Sequence, residues 1–255
     1  MQPDAYANIV ELYDLEHADF TDDVELLAEL AELGDGPILE LGCGTGRVLL
    51  PLAEAGHEVT GIDHSQPMLD VAAQRAQDQG LNVSLVNGDM SDLSGITGGP
   101  FGLVIASLNS IMHLDIDQQR SLVKTSFATL KPGGRLIIDT LNPSISQLNH
   151  LLDTLHLEGS WTDKSGAVID KTSYRKHGEE PQVLDTVIWY DRVESNGEHQ
   201  RIRTRFDLRY VHQSELALLL EIAGYAHVDW YGSYELDPWD PESDRIIAIA
   251  HKDHA

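Results

Sequence analysis

The chain has a single cysteine, Cys43, among its 255 residues. That excludes an internal disulfide, a thiolate zinc cluster and any mechanism that needs two thiols. Nothing in it approaches the ~20 consecutive apolar residues needed to cross a bilayer. Its first residues, Met1-Gln2-Pro3-Asp4-Ala5-Tyr6, lack the basic stretch and apolar core of a secretory leader, so a cytoplasmic protein with no membrane partner is expected. Basic residues are scarce: 17 Lys and Arg, six of them lysine, stand against 42 Asp and Glu, for a formal net charge of -25. Such a surface repels polyphosphates and shows no basic stripe, which sets nucleic acid aside as a partner. The acids are spread along the whole chain, the pattern of a solvated or salt-adapted surface more than of a patch that steers a cationic substrate. The twelve histidines are scattered without metal-ligand spacing, and no repeat or low-complexity tract is present.

What is there reads as an α/β pattern. Helical periodicity over Tyr6 to Leu15 and Asp22 to Leu33 precedes a short buried strand, Ile38 to Leu41, which runs into a glycine loop. Helices over Arg47 to Ala55, Ser65 to Gln79 (capped by Ser65) and Asp115 to Leu130 alternate with strands over Glu58 to Asp63, Val83 to Val86, Phe101 to Ser107 and Arg135 to Thr140. Such alternation predicts a parallel, doubly wound sheet with its ligand site at the strand C-termini. From Leu157 to Tyr210 the pattern changes to alternating antiparallel segments, with turns at Lys164-Ser165-Gly166 and Ser195-Asn196-Gly197. A helix over Ser214 to Ala223 and strands over Ala226 to Tyr231 and Arg245 to His251 then resume the α/β pattern. The division expected is one domain from residues 1–143 and 212–255, carrying an inserted antiparallel subdomain over 144–211.

The sharpest local signal is Glu40-Leu41-Gly42-Cys43-Gly44-Thr45-Gly46 between a strand and a helix. Glycines there let a ligand approach the backbone and the N–H groups at the helix start. Position 47 is Arg47, so the Gly-x-Gly-x-x-Gly spacing of dinucleotide enzymes is not met. Asp63, about 20 residues beyond the first glycine at the end of the second strand, is placed to bind two ribose hydroxyls. Asp89 follows the third strand in Asn87-Gly88-Asp89-Met90, where a carboxylate can accept from an adenine amino group while Met90 covers the ring. Taken singly, Asp63 reads equally as a helix N-terminal acid and Asp89 as a turn aspartate. Three such features at consecutive strand ends favour an adenosine site.

Ile38 to Gly46, Asp63, Asp89 and Lys131-Pro132-Gly133-Gly134 together resemble the sequential motifs of class I S-adenosylmethionine-dependent methyltransferases, over about Tyr6 to Pro143 and more loosely Ser214 to His251. The resemblance implies a seven-stranded, mostly parallel Rossmann-like sheet, with the antiparallel insertion as a lid similar to those of glycine and aminosugar N-methyltransferases. It implies S-adenosylmethionine as donor, leaving as S-adenosylhomocysteine. On this likeness Glu40, Gly42, Cys43, Gly44, Gly46 and Arg47 surround the methionine part, Asp63 holds the ribose, Asp89 and Met90 meet the adenine, and His64 and Met68 flank the nucleoside. Ser107 and Leu108 lie beside the donor.

Methyl transfer from a sulfonium mainly requires alignment; a neutral amine attacks unaided, whereas a hydroxyl or ammonium must first lose a proton. The segment Ser107-Leu108-Asn109-Ser110-Ile111-Met112-His113 departs from the Asp/Asn-Pro-Pro-aromatic element of nucleic-acid and glutamine amino methyltransferases. His113 is the candidate base, with capping of the following helix as the alternative. Tyr13 is a candidate to cap the sulfonium. Tyr6, Asn109, Trp189, Arg205 and Tyr210 are candidate contacts for a small-molecule acceptor. Arg203, Arg205, Asp207 and Arg209 fall on one strand face, expected to be solvated. The competing readings are a non-catalytic adenosyl-ligand-binding protein on the same fold and, less favoured, a nicotinamide oxidoreductase.

Overall fold

The computed structural model describes residues 4–254. Its elements, in chain order, are α1 (Val10–His17), α2 (Asp22–Glu32), β1 (Ile38–Leu41), α3 (Leu49–Glu54), β2 (Val59–Asp63), α4 (Gln66–Gln79), β3 (Ser84–Asn87) and β4 (Phe101–Ala106). A short 3-10 turn over Ser110–His113 leads to α5 (Ile116–Thr129), β5 (Leu130–Leu141), α6 (Ile145–Leu151), β6 (Leu155–Thr162), β7 (Val168–His177), β8 (Val183–Val193) and β9 (His199–Arg209). The chain closes with α7 (Gln213–Ala223), β10 (His227–Tyr231) and β11 (Arg245–His251).

Seven strands form one sheet in the order β10-β11-β5-β4-β1-β2-β3. All neighbours are parallel except β11, which runs antiparallel to both β5 and β10. The order reverses between β1 and β4, so the crevice above their C-termini is the topological switch point. Every residue of β1 and β4 is buried, because helices cover both faces of the sheet. On one face Leu122 and Val123 of α5 and Leu216 and Leu220 of α7 join the core; on the other, Leu26, Leu27 and Leu30 of α2 pack with Leu49 and Leu52 of α3.

Strands β6 to β9 form a separate antiparallel meander. Its inward face presents Ile169, Ile188, Tyr190 and Phe206, which pack on Ile9 and Leu12 at the start of the chain. The leading segment is thereby held between the meander and the glycine loop.

Several elements differ from expectation. The first helix begins at Val10, so Tyr6 precedes it in a turn. Arg47 lies ahead of α3, and β5 begins at Leu130, directly after α5, rather than at Arg135. Ser65 occupies the N-cap position of α4, yet its side chain makes no capping bond: its N–H donates to Asp63 Oδ1 instead. The capping box of α5 is made by Asp115 and Gln118. Helix α6 was not expected. It is seven residues long and buries none of them fully, so Ile145, Leu148 and Leu151 give too short a repeat to mark it as a helix.

Gly61 in β2 illustrates how closely the loop is packed. A Cβ there would fall 2.6 Å from Cys43 Sγ and 2.9 Å from Cys43 Cβ. Gly61→Ala is expected to destabilise the protein by about 1–3 kcal/mol through overpacking, and Cys43→Ala to recover part of that loss, as measured by urea denaturation of the two single variants and the double variant.

Candidate functional site

The site is organised by the end of β2. Asp63 Oδ2 accepts from Gly44 N at 2.8 Å, and Oδ1 accepts from Ser65 N at 2.8 Å. One carboxylate thus ties the glycine loop to the start of α4. Its burial raises its pKa, against the lowering effect of these two N–H donors. Gly42, Gly44 and Gly46 all have left-handed backbone, with φ of 75, 53 and 83°. At Gly42 a Cβ would meet Ser110 Cβ at 3.1 Å and Met90 Sδ at 3.6 Å, whereas at Gly44 it would meet nothing within 4 Å. The loop is therefore closed on one side and open on the other, where a ligand can lie against bare backbone.

Glu40 is buried below this loop, and its Oε2 has no hydrogen-bond partner among the described residues. Burial pushes its carboxyl up to about 8, with Arg47 pulling the other way. Arg47 is itself committed to Asp23, which is 1% exposed, through Nη1–Oδ1 at 2.8 Å and Nη2–Oδ2 at 2.5 Å. Its Nε has no partner among the described residues. A buried acceptor at Glu40, a buried donor at Arg47 Nε and an open glycine backbone fit the ammonium, carboxylate and chain of an α-amino acid such as the methionine part of the donor. Cys43 turns its side chain into the sheet against Gly61 and offers the loop only its backbone.

The region expected to meet the adenine is less committed. Asp89 Oδ1 accepts from Ser91 N at 2.8 Å, a turn arrangement, and Oδ2 accepts from Gln118 Nε2 at 3.2 Å. Met90 reaches Gly42, His64 is half-exposed beside Asp63 and Asp4, and Met68 is buried on α4.

On the acceptor side, Tyr6 Oη and His113 Nε2 are 3.0 Å apart. Phe206 packs against both rings, with centroids 5.0 Å from Tyr6 and 5.5 Å from His113. His113 is buried, which lowers its pKa to about 4, so the imidazole is neutral at physiological pH. Burial, then the charges of Asp63, Glu16 and Asp4 and that of Tyr13, hold the Tyr6 phenol well above its ordinary range. Tyr13 lies beside Arg47 and His17, its pKa pushed up to about 12 chiefly by burial. Glu16, on the same helix, binds Lys171 of β7 and accepts from Tyr190 Oη of β8 at 2.9 Å.

Four of the expected acceptor contacts lie elsewhere or serve another purpose. Trp189 and Arg205 project from the face of the meander opposite Ile188, Tyr190 and Phe206, and Arg205 pairs with Asp185 at 2.7 Å. Tyr210 is buried in the main core. Asn109 turns its amide oxygen to Leu141 N at 2.7 Å, a bond inside the fold. Arg209, expected in solvent, is buried and paired with Glu215 and Gln119. Ser110 was passed over as an ordinary loop residue. Its hydroxyl is buried without a partner, next to Gly42.

Residues 38–134 match the family model described as a methyltransferase domain. The solved CcbJ methyltransferase of Streptomyces caelestis is 28% identical, with a TM-score of 0.73 over 92% of this chain and 97% of that one. The sugar N-methyltransferase KedS8 of Streptoalloteichus, 18% identical, shares the fold with a TM-score of 0.74 over 95% of this chain and 91% of its own. Among curated proteins, a cypemycin N-terminal methyltransferase of Streptomyces is 32% identical over 139 residues, 53% of this chain and 55% of the relative. The chain spans about half the length of the curated relatives it matches. No helix among the described residues is long and apolar enough to cross a membrane.

Glu40 offers a direct test of this electrostatic picture. Its folded-state pKa is raised, so the native state holds a proton that the unfolded chain releases above the ordinary value of 4.5, and stability from this group falls with pH up to about 8. Glu40→Gln, a neutral isostere, is expected to gain stability relative to the parent as pH rises from 5 to 8, with no further change above that range, as read by urea denaturation at fixed ionic strength.

Proposed function

We propose, for a chain that belongs to the class I S-adenosylmethionine-dependent methyltransferases, that it methylates an amine nitrogen of a small molecule. When bound, S-adenosylmethionine supplies an electrophilic methyl group for in-line displacement, which demands alignment above all. Two of the roughly four lone-pair sites of the Asp63 carboxylate remain free for ribose hydroxyls after its bonds to Gly44 and Ser65. Glu40 and Arg47 Nε are the groups for the amino-acid end of the donor. Asp89 and Met90 serve the adenine.

The observation that carries the amine assignment is the buried His113. An imidazole whose pKa is lowered to about 4 is a weak base toward a hydroxyl, which favours an acceptor that attacks without first giving up a proton. A neutral amine does. The surroundings also suit the cation that amine methylation leaves: the charges of Asp4, Asp63 and Glu16 all act on Tyr6, whose ring clusters with those of Tyr13 and Phe206. The Tyr6–His113 pair orients the nitrogen, and the meander over 144–211 with the leading segment acts as a lid that excludes water.

Radiolabelled methyl transfer to a panel of amines and matched alcohols tests the proposal. Amines are expected to turn over, with rates rising with pH toward the pKa of each amine and no inflection near 6.5 from His113. Turnover of alcohols in preference to amines would reverse the assignment. Asp63→Ala is expected to weaken S-adenosylhomocysteine binding at least tenfold in titration calorimetry while the protein stays folded.

A further inference from the structure

The segment after β4 is held in an unusual backbone. Leu108 and Asn109 both have positive φ, 47 and 66°, although neither is glycine. Left-handed backbone at non-glycine residues is strained and persists only where the surroundings enforce it. Here the enforcing group is Asp139 of β5, which is 2% exposed. Its Oδ2 accepts from Leu108 N at 2.9 Å and from Tyr234 Oη at 3.0 Å; its Oδ1 accepts from Arg245 Nε at 2.5 Å. Its backbone carbonyl accepts from Asn109 N at 3.0 Å. Arg245 also stacks on the Tyr234 ring, 5.2 Å from the centroid. Tyr234 in turn packs edge-on against Phe20, whose ring lies under the Arg47 guanidinium and whose carbonyl accepts from it at 3.3 Å.

The segment so fixed is the one that meets both halves of the site, with Ser110 against Gly42 of the donor loop and His113 against Tyr6 on the acceptor side. We propose that Asp139, Arg245 and Tyr234 are positioning residues, which hold Leu108 and Asn109 in their left-handed turn and thereby set Ser110 and His113 for methyl transfer. None of the three needs to touch a reactant. They act through the backbone of the turn, and a shift of about 1 Å there is enough to spoil an in-line geometry.

This inference rests on the methyltransferase reading, and the test separates the two. Tyr234→Phe removes one bond to Asp139 and leaves the ion pair with Arg245; Asp139→Asn removes the charge and is the harsher variant. For each, hydrogen exchange of the 108–113 amides is compared with that of β1 and β2, S-adenosylhomocysteine affinity is measured by calorimetry, and the His113 ring is titrated by NMR. In folded Tyr234→Phe, exchange at 108–113 is expected to rise about tenfold with β1 and β2 unchanged, and S-adenosylhomocysteine to bind about threefold more weakly. The His113 titration is expected to move from about 4 toward 6.5 as water reaches the ring, a change that a general loss of stability would not produce. Unchanged exchange at 108–113 and an unchanged His113 titration in folded Tyr234→Phe would overturn the positioning role, whatever Asp139→Asn does. Failure of the parent protein to bind S-adenosylhomocysteine would instead overturn the methyltransferase reading.

Discussion

The rest of the site depends on the two backbone hydrogen bonds that Asp63 accepts. A strand that ends in a carboxylate, followed by a helix with a free first N–H and flanked by a loop with another, fastens three separate elements at one point. The loop can then afford left-handed glycines without becoming mobile, because its register is set from β2 and not from its own side chains. The start of α4 is thus tied to β2 through the backbone of Ser65, whose own hydroxyl makes no capping bond to the helix. A carboxylate with oxygens still able to accept, at the rim of a crevice between β1 and β4, is where a nucleoside with paired hydroxyls gains most.

Around that point the protein retains buried polar groups that an apolar core would not need. Arg47 and Asp23 form a desolvated ion pair, and pairs of this kind contribute little net stability compared with apolar residues of the same volume. Its value here is geometric. Asp23 belongs to α2 and Arg47 follows the glycine loop, so the pair joins the leading helices to the loop, and Phe20 carries the connection on to Tyr234. Glu40 is the opposite case, a carboxyl left protonated at neutral pH beneath the loop, with a charge that becomes favourable only when a cation stands beside it.

The parallel half of the fold was legible because its strands are buried on both faces and its helices carry plain apolar periodicity. Phe101 to Ala106 announces itself as a covered strand, and the glycine loop and Asp63 sit where the local pattern places them. The meander was legible as alternation, but alternation separates two faces without saying which one turns inward. That is why Trp189 and Arg205 were expected at the acceptor while the inward positions are Ile188, Tyr190 and Phe206. The inward face is chosen by Ile9 and Leu12, more than 150 residues earlier in the chain. Asp139 was hidden for a related reason: within Leu136-Ile137-Ile138-Asp139-Thr140 it reads as the polar end of a buried strand, and its partner Arg245 lies 106 positions away. No local window holds both.

The meander is attached to the leading segment through polar contacts as well as packing. Glu16 meets Lys171 and Tyr190, and Thr204 Oγ1 donates to the carbonyl of Ala5 at 2.9 Å. Beneath them the shared apolar cluster is small compared with the two that flank the main sheet. An interface of modest apolar area sealed by a few ion pairs and hydrogen bonds opens at lower free energy than the core beneath it. It can therefore open without unfolding anything that Asp63 holds in place. On that division, the large parallel sheet is the part that resists opening, and the leading segment and the meander are where the fold yields first.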